Sequence, residues 1–344
     1  MSFPLLPIII GSASAVIGAA GLTSGTIGAK KLKEANERVE KSRLDYEKER
    51  KTLETIDKKT LYSLKKLGKL KLETIQDFEL FALAFEQIKN RPSFETKTEE
   101  LPHIPKVPLK KVEKLQVAST EILGTALAAG GSGALIGFAA YGGIMSLGVA
   151  STGTAIGSLS GAAATKATLA ALGGGSIAAG GGGIALGQLV LGVAVAAPII
   201  AISGGFALYK GQDYEKKSHE IQNEVKDVLK LIAIAVEYLK ELRSYTNDMY
   251  SEIDKLRCVY LDEVEQLRKL VDKNANYNNY TIEEKELVDI NIKLVAILYK
   301  LTTQDLLQPS NNKEEQQKLL KAEIEETLET SKKVYNQLTT DIKY

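Results

Sequence analysis

Between Ile122 and Tyr209 the chain carries one charged residue, Lys166, and is otherwise built mainly from Ala, Gly, Ser, Thr, Leu, Ile and Val. No other feature limits the fold so strongly. A stretch of this kind has to be withdrawn from water, either among tightly packed helices or in a bilayer. A membrane-spanning helix needs about 20 largely apolar residues, and each charge-free run flanking Lys166 is about twice that. The block therefore accommodates two long helices or four shorter ones, with breaks at Gly142-Gly143, at Lys166 and at Gly180 to Gly183, and a kink at Pro198.

Glycine spacing says more than glycine number. Gly153, Gly157 and Gly161 form GxxxGxxxG, and the pairs Gly133/Gly137 and Gly183/Gly187 each form GxxxG. Residues four apart share a helix face, and glycine on that face lets two backbones touch, which is how helices associate in lipid. The N-terminal segment adds Gly21 and Gly25 at the same spacing. Lys166 divides the block evenly, which favours a turn at an interface over a lysine lining a wet lumen. Three other readings stay open: small residues packing soluble helices closely, a flexible insert, and a β-tongue over Leu135 to Gly153, where Ile136, Phe138, Tyr141, Ile144 and Val149 interleave with glycines. The block is short of Leu and Phe and holds no Trp, and glycine costs about 1 kcal/mol relative to alanine in a soluble helix. Its commitment to lipid is thus marginal, as suits a segment sheltered in a bundle and inserted after rearrangement.

The charge excluded from the block is concentrated elsewhere. From Lys30 to Asn90 a Lys/Glu-rich sequence carries Leu32, Ala35, Val39, Tyr46, Leu53, Ile56, Leu64, Leu67 and Leu70 at a period near 3.5, with Gly68 its one glycine, and predicts a helix or a broken helix pair. Pro92, Pro102, Pro105 and Pro108 then mark a linker. From Tyr214 to about Val271, Ile221, Val225, Val228, Ile232, Ala235, Leu239, Leu242, Thr246, Met249, Ile253, Leu256 and Tyr260 follow alternating steps of four and three, the seam of a coiled coil or long bundle helix. At 1.5 Å per residue that helix would run on the order of 80 Å. Asn274 to Asn279 end it, Thr281 and Glu284 predict a capping box for a helix over Ile282 to Leu307, and a last amphipathic helix is expected over Lys313 to Ile342. The expected fold is all-α: an elongated helical bundle or coiled coil with a Gly/Ala-rich hydrophobic helical hairpin. Its expected parts are an apolar N-terminal segment (1–29), an amphipathic helical stalk (30–90), a Pro-rich linker (91–109), the hydrophobic region (110–209) and a C-terminal helical bundle (210–344).

Few functional classes survive. Lys+Arg 44 against Asp+Glu 43 leaves a net charge of +1, so no electrostatic footprint for nucleic acid is present. Gly131-Ser-Gly133-Ala-Leu-Ile fails the dinucleotide pattern at its last glycine, and no phosphate loop occurs. His103 and His219 are far apart with no cysteine cluster, which argues against zinc, and His219 reads as a solvated surface residue. Glu314-Glu315 and Glu325-Glu326 read as solvated faces. Cys258, the single cysteine, is expected as a buried structural thiol rather than a nucleophile. We expect no enzyme: no catalytic residue, no cofactor and no metal. Met1 to Ile10 is apolar but has no preceding Lys or Arg and is interrupted by Pro4 and Pro7, which argues against a cleaved export signal and for cytoplasmic synthesis.

The stretch from Ala167 to Gly187, with its runs Gly173-Gly-Gly175 and Gly180-Gly-Gly-Gly183, together with the N-terminal Gly-rich segment, the Lys/Glu coiled coil and Leu67-Gly-Lys-Leu-Lys-Leu72, resembles a group of bacterial glycine-zipper proteins over most of the chain up to about residue 240. In architecture, a hydrophobic hairpin between long helices resembles α-helical pore-forming toxins of the cytolysin A and haemolysin BL type, and the apolipoprotein L proteins. The resemblance implies a membrane-inserting protein, toxin or defence effector, whose N-terminal segment joins the pore. The expected partners are a lipid bilayer, further copies of the chain in a homo-oligomer, and a partner protein at the C-terminal helices. The expected location is a membrane, with a soluble form before insertion. A membrane-anchored coiled-coil scaffold without pore activity is the alternative.

Overall fold

The computed structural model describes residues 26–94, 97, 109–128, 132–147, 213–308 and 318–341. Among them the fold is all-α, with six helices and no strand: α1 (Thr26–Gln87), α2 (Leu109–Ala128), α3 (Ser132–Leu147), α4 (Asp213–Lys273), α5 (Ile282–Thr303) and α6 (Lys321–Asp341), plus a 3-10 turn at Tyr277–Asn279. The described residues fall into two compact units, one built from 26–59 and 213–241, the other from the remainder.

The first unit draws its described residues from the beginnings of α1 and α4. Steps of four and three put Ala35, Val39, Tyr46 and Leu53 on one stripe of α1, and Ile221, Val225, Val228, Ile232, Ala235 and Leu239 on one stripe of α4, and all are buried. The two stripes close on each other as a single hydrophobic cluster, with Ile56, Leu229 and Tyr238 at its margin. The helices run parallel: Lys31 Nζ lies 3.0 Å from Glu215 Oε2, and Arg38 Nε donates to Ser218 Oγ at 3.2 Å. On the outer face, pairs one turn apart such as Arg43 with Glu40 and Glu47 are partly exposed and add little stability.

The second unit continues both stripes and adds helices around them. Asp77 accepts from Arg257 Nε at 2.6 Å, its carbonyl accepts from the buried Tyr260 hydroxyl at 2.8 Å, and Phe78 meets the Tyr260 ring edge-on. Phe81 stacks on Phe85, and Phe94 leans on both. α1 and α4 also end side by side: Lys89 N donates to Ala275 O, and Tyr277 N donates to Lys89 O. Asn90 leaves α1 at φ 57°, the left-handed conformation that asparagine tolerates after a helix. α5 is the interior helix. Thr281 and Glu284 form the capping box expected of them, and Ile292 and Leu294–Leu298 are buried on every side because α3 and α6 both pack against it.

Of the two forms left open for the segment 30–90, the single helix is the one found, over Thr26–Gln87 with Gly68 inside it. Several other expectations need correction. α5 stops at Thr303 instead of Leu307, and residues 318–320 precede α6 in non-helical form, because their main chain pairs with residues 306–308: Gln308 N donates to Lys318 O and Leu320 N to Leu306 O. Cys258 is exposed, not buried, because it stands two residues from both Leu256 and Tyr260, which hold the seam, and so faces away from it. Residues 135–147 are helical, which removes the β-tongue there; residues 148–153 lie outside the described residues. The first run of the block is not one over-long helix, since α2 ends at Ala128 and α3 begins at Ser132. His219 is exposed, as expected, and His103 lies outside the described residues.

Candidate functional site

The described front of the apolar block is α3, which has no charged residue yet buries Leu135 to Ala140 without interruption, packed on α2 and α5. Its docking is worked out in backbone atoms. Where α1 crosses it, Gly68 faces the carbonyl of Leu135 so closely that any Cβ at residue 68 would overlap that oxygen. Glycine in a helix interior is a local loss of about 1 kcal/mol, recovered here by close approach of two backbones.

One turn further along α1 is Lys71, fully buried. Its Nζ donates to Gln304 O at 2.7 Å and to Ala139 O at 3.3 Å. Both acceptors are available for a structural reason. Gln304 caps the C-terminus of α5, where carbonyls have no partner within the helix. In α3 the backbone breaks at Tyr141 (φ −134°, ψ 37°), which turns the preceding carbonyls toward outside donors. Ala140 O accordingly accepts from Leu306 N at 2.9 Å and Leu307 N at 3.2 Å. Lys71 thus caps one helix end and one helix break at once, the favourable end of the dipole for a cation.

The close fit continues at Gly142, where a Cβ would come within 2.7 Å of Thr302 O and 3.5 Å of Lys71 Nζ. Behind the clasp, Gln304 is itself held, since Thr327 of α6 donates to its Oε1 at 2.8 Å and its Nε2 donates to Asp305 O. Burial pushes the Lys71 ammonium down to about 8, against the pull of the Asp305 carboxylate. A buried ammonium is costly unless hydrogen-bonded, and its two carbonyl acceptors with Asp305 nearby are what offset that cost.

Of the glycines singled out in the sequence, Gly133 and Gly137 share α3, and Gly137 is buried. Gly21, Gly25, Gly153, Gly157, Gly161, Gly183 and Gly187, with Lys166, lie outside the described residues. The break expected at Gly142-Gly143 falls at Tyr141. Gly68, Lys71 and Gly142 were not among the expected site residues, although the sequence signals two of them: Gly68 is the one glycine between Lys30 and Asn90, and Lys71 stands four after Leu67 and three before Thr74, a charge on an apolar seam.

Among the described residues no three His, Cys, Asp or Glu side chains are grouped as a metal ion would need. No helix of the described residues is long and apolar enough to cross a membrane. No protein-family model, characterised protein or solved structure matches the chain.

Proposed function

We propose that this chain is an α-helical membrane-inserting protein that assembles with copies of itself through glycine faces to form a pore or perturb a bilayer, as a bacterial toxin or defence effector would. The observation that carries the reading is the stowage of α3. A helix without charge, at the front of a block with a single charge, lies buried in a bundle, where its main-chain carbonyls accept from Lys71 and from the backbone of Leu306 and Leu307. That is the form in which an apolar segment can be kept from water until it meets lipid. The glycine ladder Gly153/Gly157/Gly161 then supplies a face for association in the bilayer, where close backbone packing replaces the hydrophobic effect.

A second reading is supported by the parallel seam of α1 and α4 in each unit, which suits a coiled-coil scaffold that the block merely holds at a membrane. Conductance separates the two. With purified protein and phosphatidylcholine/phosphatidylglycerol bilayers, the pore reading expects current steps and release of an entrapped dye, and expects Gly157→Leu to abolish both by holding helix backbones apart. Stable flotation with vesicles but no current and no release turns the assignment to the scaffold. Absence of any flotation overturns both readings.

A further inference from the structure

The buried lysine does more than complete a core. Its neighbours along the α1 seam are Leu64, Leu67, Ile75 and Thr74, whose hydroxyl is satisfied by Leu70 O, so methionine, with similar length and no charge, would fill the same space. A lysine there adds a desolvation cost and gains two bonds, both to main-chain oxygens that belong to elements other than its own. Those two elements are α3 and the end of α5, the two faces that touch at Gly142 and Thr302. The main-chain bonds of Ala140 to Leu306 and Leu307 lie at the same spot.

We infer that Lys71 is a latch: its ammonium, grasped by the carbonyls of Ala139 and Gln304, holds α3 against the bundle, and α3 departs as a helix when that grasp is broken. Three observations support it independently. Bonds from α1 and from the chain after α5 meet on two adjacent carbonyls of α3, Ala139 and Ala140. The break at Tyr141 makes those carbonyls available, so helix α3 closes its own ladder there if it is freed. At Gly68 and Gly142 the contact is of bare backbone, and the buried side chains that pack α3, Leu135, Ile136 and Phe138 among them, are apolar. The latch rests on the membrane-insertion reading for its purpose but not for its geometry.

The test is amide hydrogen exchange of the full chain in lipid-free buffer, comparing peptides from 132–147 with peptides from 288–302. Lys71→Met removes the grasp and keeps the volume; Gly142→Ala pushes α3 from Thr302 without changing any charge. Loss of the charge-assisted hydrogen bonds in Lys71→Met, and the clash with Thr302 O in Gly142→Ala, should each speed exchange of the α3 amides by about tenfold or more while α5 keeps its protection. Unchanged α3 exchange in Lys71→Met overturns the latch, and so does equal acceleration of α3 and α5, which would make the lysine simply part of the bundle. The same variants added to dye-loaded phosphatidylcholine/phosphatidylglycerol vesicles separate this inference from the functional one. Loosened α3 with faster dye release supports both, whereas loosened α3 with no release upholds the latch and counts against membrane insertion.

Discussion

The two units solve the problem of a polar residue on an apolar seam in different ways. In the first, with described residues from α1 and α4 alone, the seam hydroxyls donate on their own helices, Ser42 to Arg38 O and Ser218 to Glu215 O, and Ser218 also accepts from Arg38 across the pair. A charge has no such resource. Asp57 is buried on the same stripe, and its Oδ1 has no hydrogen-bond partner. In the second unit hydroxyls such as Thr74 and Thr246 still donate within their own helix, but more helices surround the seam and other buried polar groups also reach another element. Asn291 donates to Glu263 O, Ser331 to Glu252, Thr327 to Gln304, and Lys71 to two carbonyls. A helix pair buries a stripe, but a bundle can also satisfy what the stripe contains. That difference locates rigidity in the second unit and marginal stability in the first.

The largest effect that would break this comparison is in the aromatic cluster. Phe81, fully buried between Phe85 and Phe94, should lose about 3–5 kcal/mol of unfolding free energy as Phe81→Ala, read by urea denaturation. A loss under about 1 kcal/mol would mean the bundle is no better packed than the pair. Next is the titration of Lys71. Its pKa is about 8 in the closed form, against the ordinary 10.5, so the unfolded or released chain holds a proton that the closed form gives up between those values. Stability of the folded chain should therefore rise as pH climbs from 8 to 10.5, by about 3 kcal/mol in all, and stay level below 8, because the neutral amine still has two N–H groups for the same two carbonyls and no longer bears the cost of a buried charge. Lys71→Met should lack that rise, and identical pH profiles for the two proteins would show the lysine is not so buried. The smallest effect sharpens the other side. Burial raises the Asp57 carboxyl to about 6, with Lys58 acting against it, so the folded form gains stability as pH falls through 6 toward 3.8 and has lost that gain at pH 7. Asp57→Leu should raise stability at pH 7 by about 1–3 kcal/mol, with the advantage shrinking toward pH 4 in thermal denaturation. No gain at pH 7 would mean the carboxylate finds a partner in solution.

What was legible in the sequence was whatever is set by neighbours a turn or two away. The α4 stripe from Ile221 to Tyr260 is buried as its spacing requires, and Thr281 caps α5 through Glu284. The misses depend on distant partners. The end of α5 at Thr303 reflects pairing of residues 306–308 with 318–320, which no local propensity encodes. The break at Tyr141, one residue before the glycines expected to make it, takes its stability from donors at Leu306 and Leu307 and from Lys71. Cys258 was misplaced for a plainer reason, since its phase between Leu256 and Tyr260 already pointed it outward. Lys71 could have been found by asking why a mostly apolar seam admits a cation between Leu67 and Ile75.

The bonds from Leu306 N and Leu307 N to Ala140 O contain no side-chain atom. The donors themselves do not depend on which side chain follows them, so proline, which lacks the N–H, would sever the joint directly, whereas other substitutions at these two buried leucines would act through the core. This half of the attachment of α3 therefore leaves no motif by which to trace it, in contrast to the half that depends on Lys71.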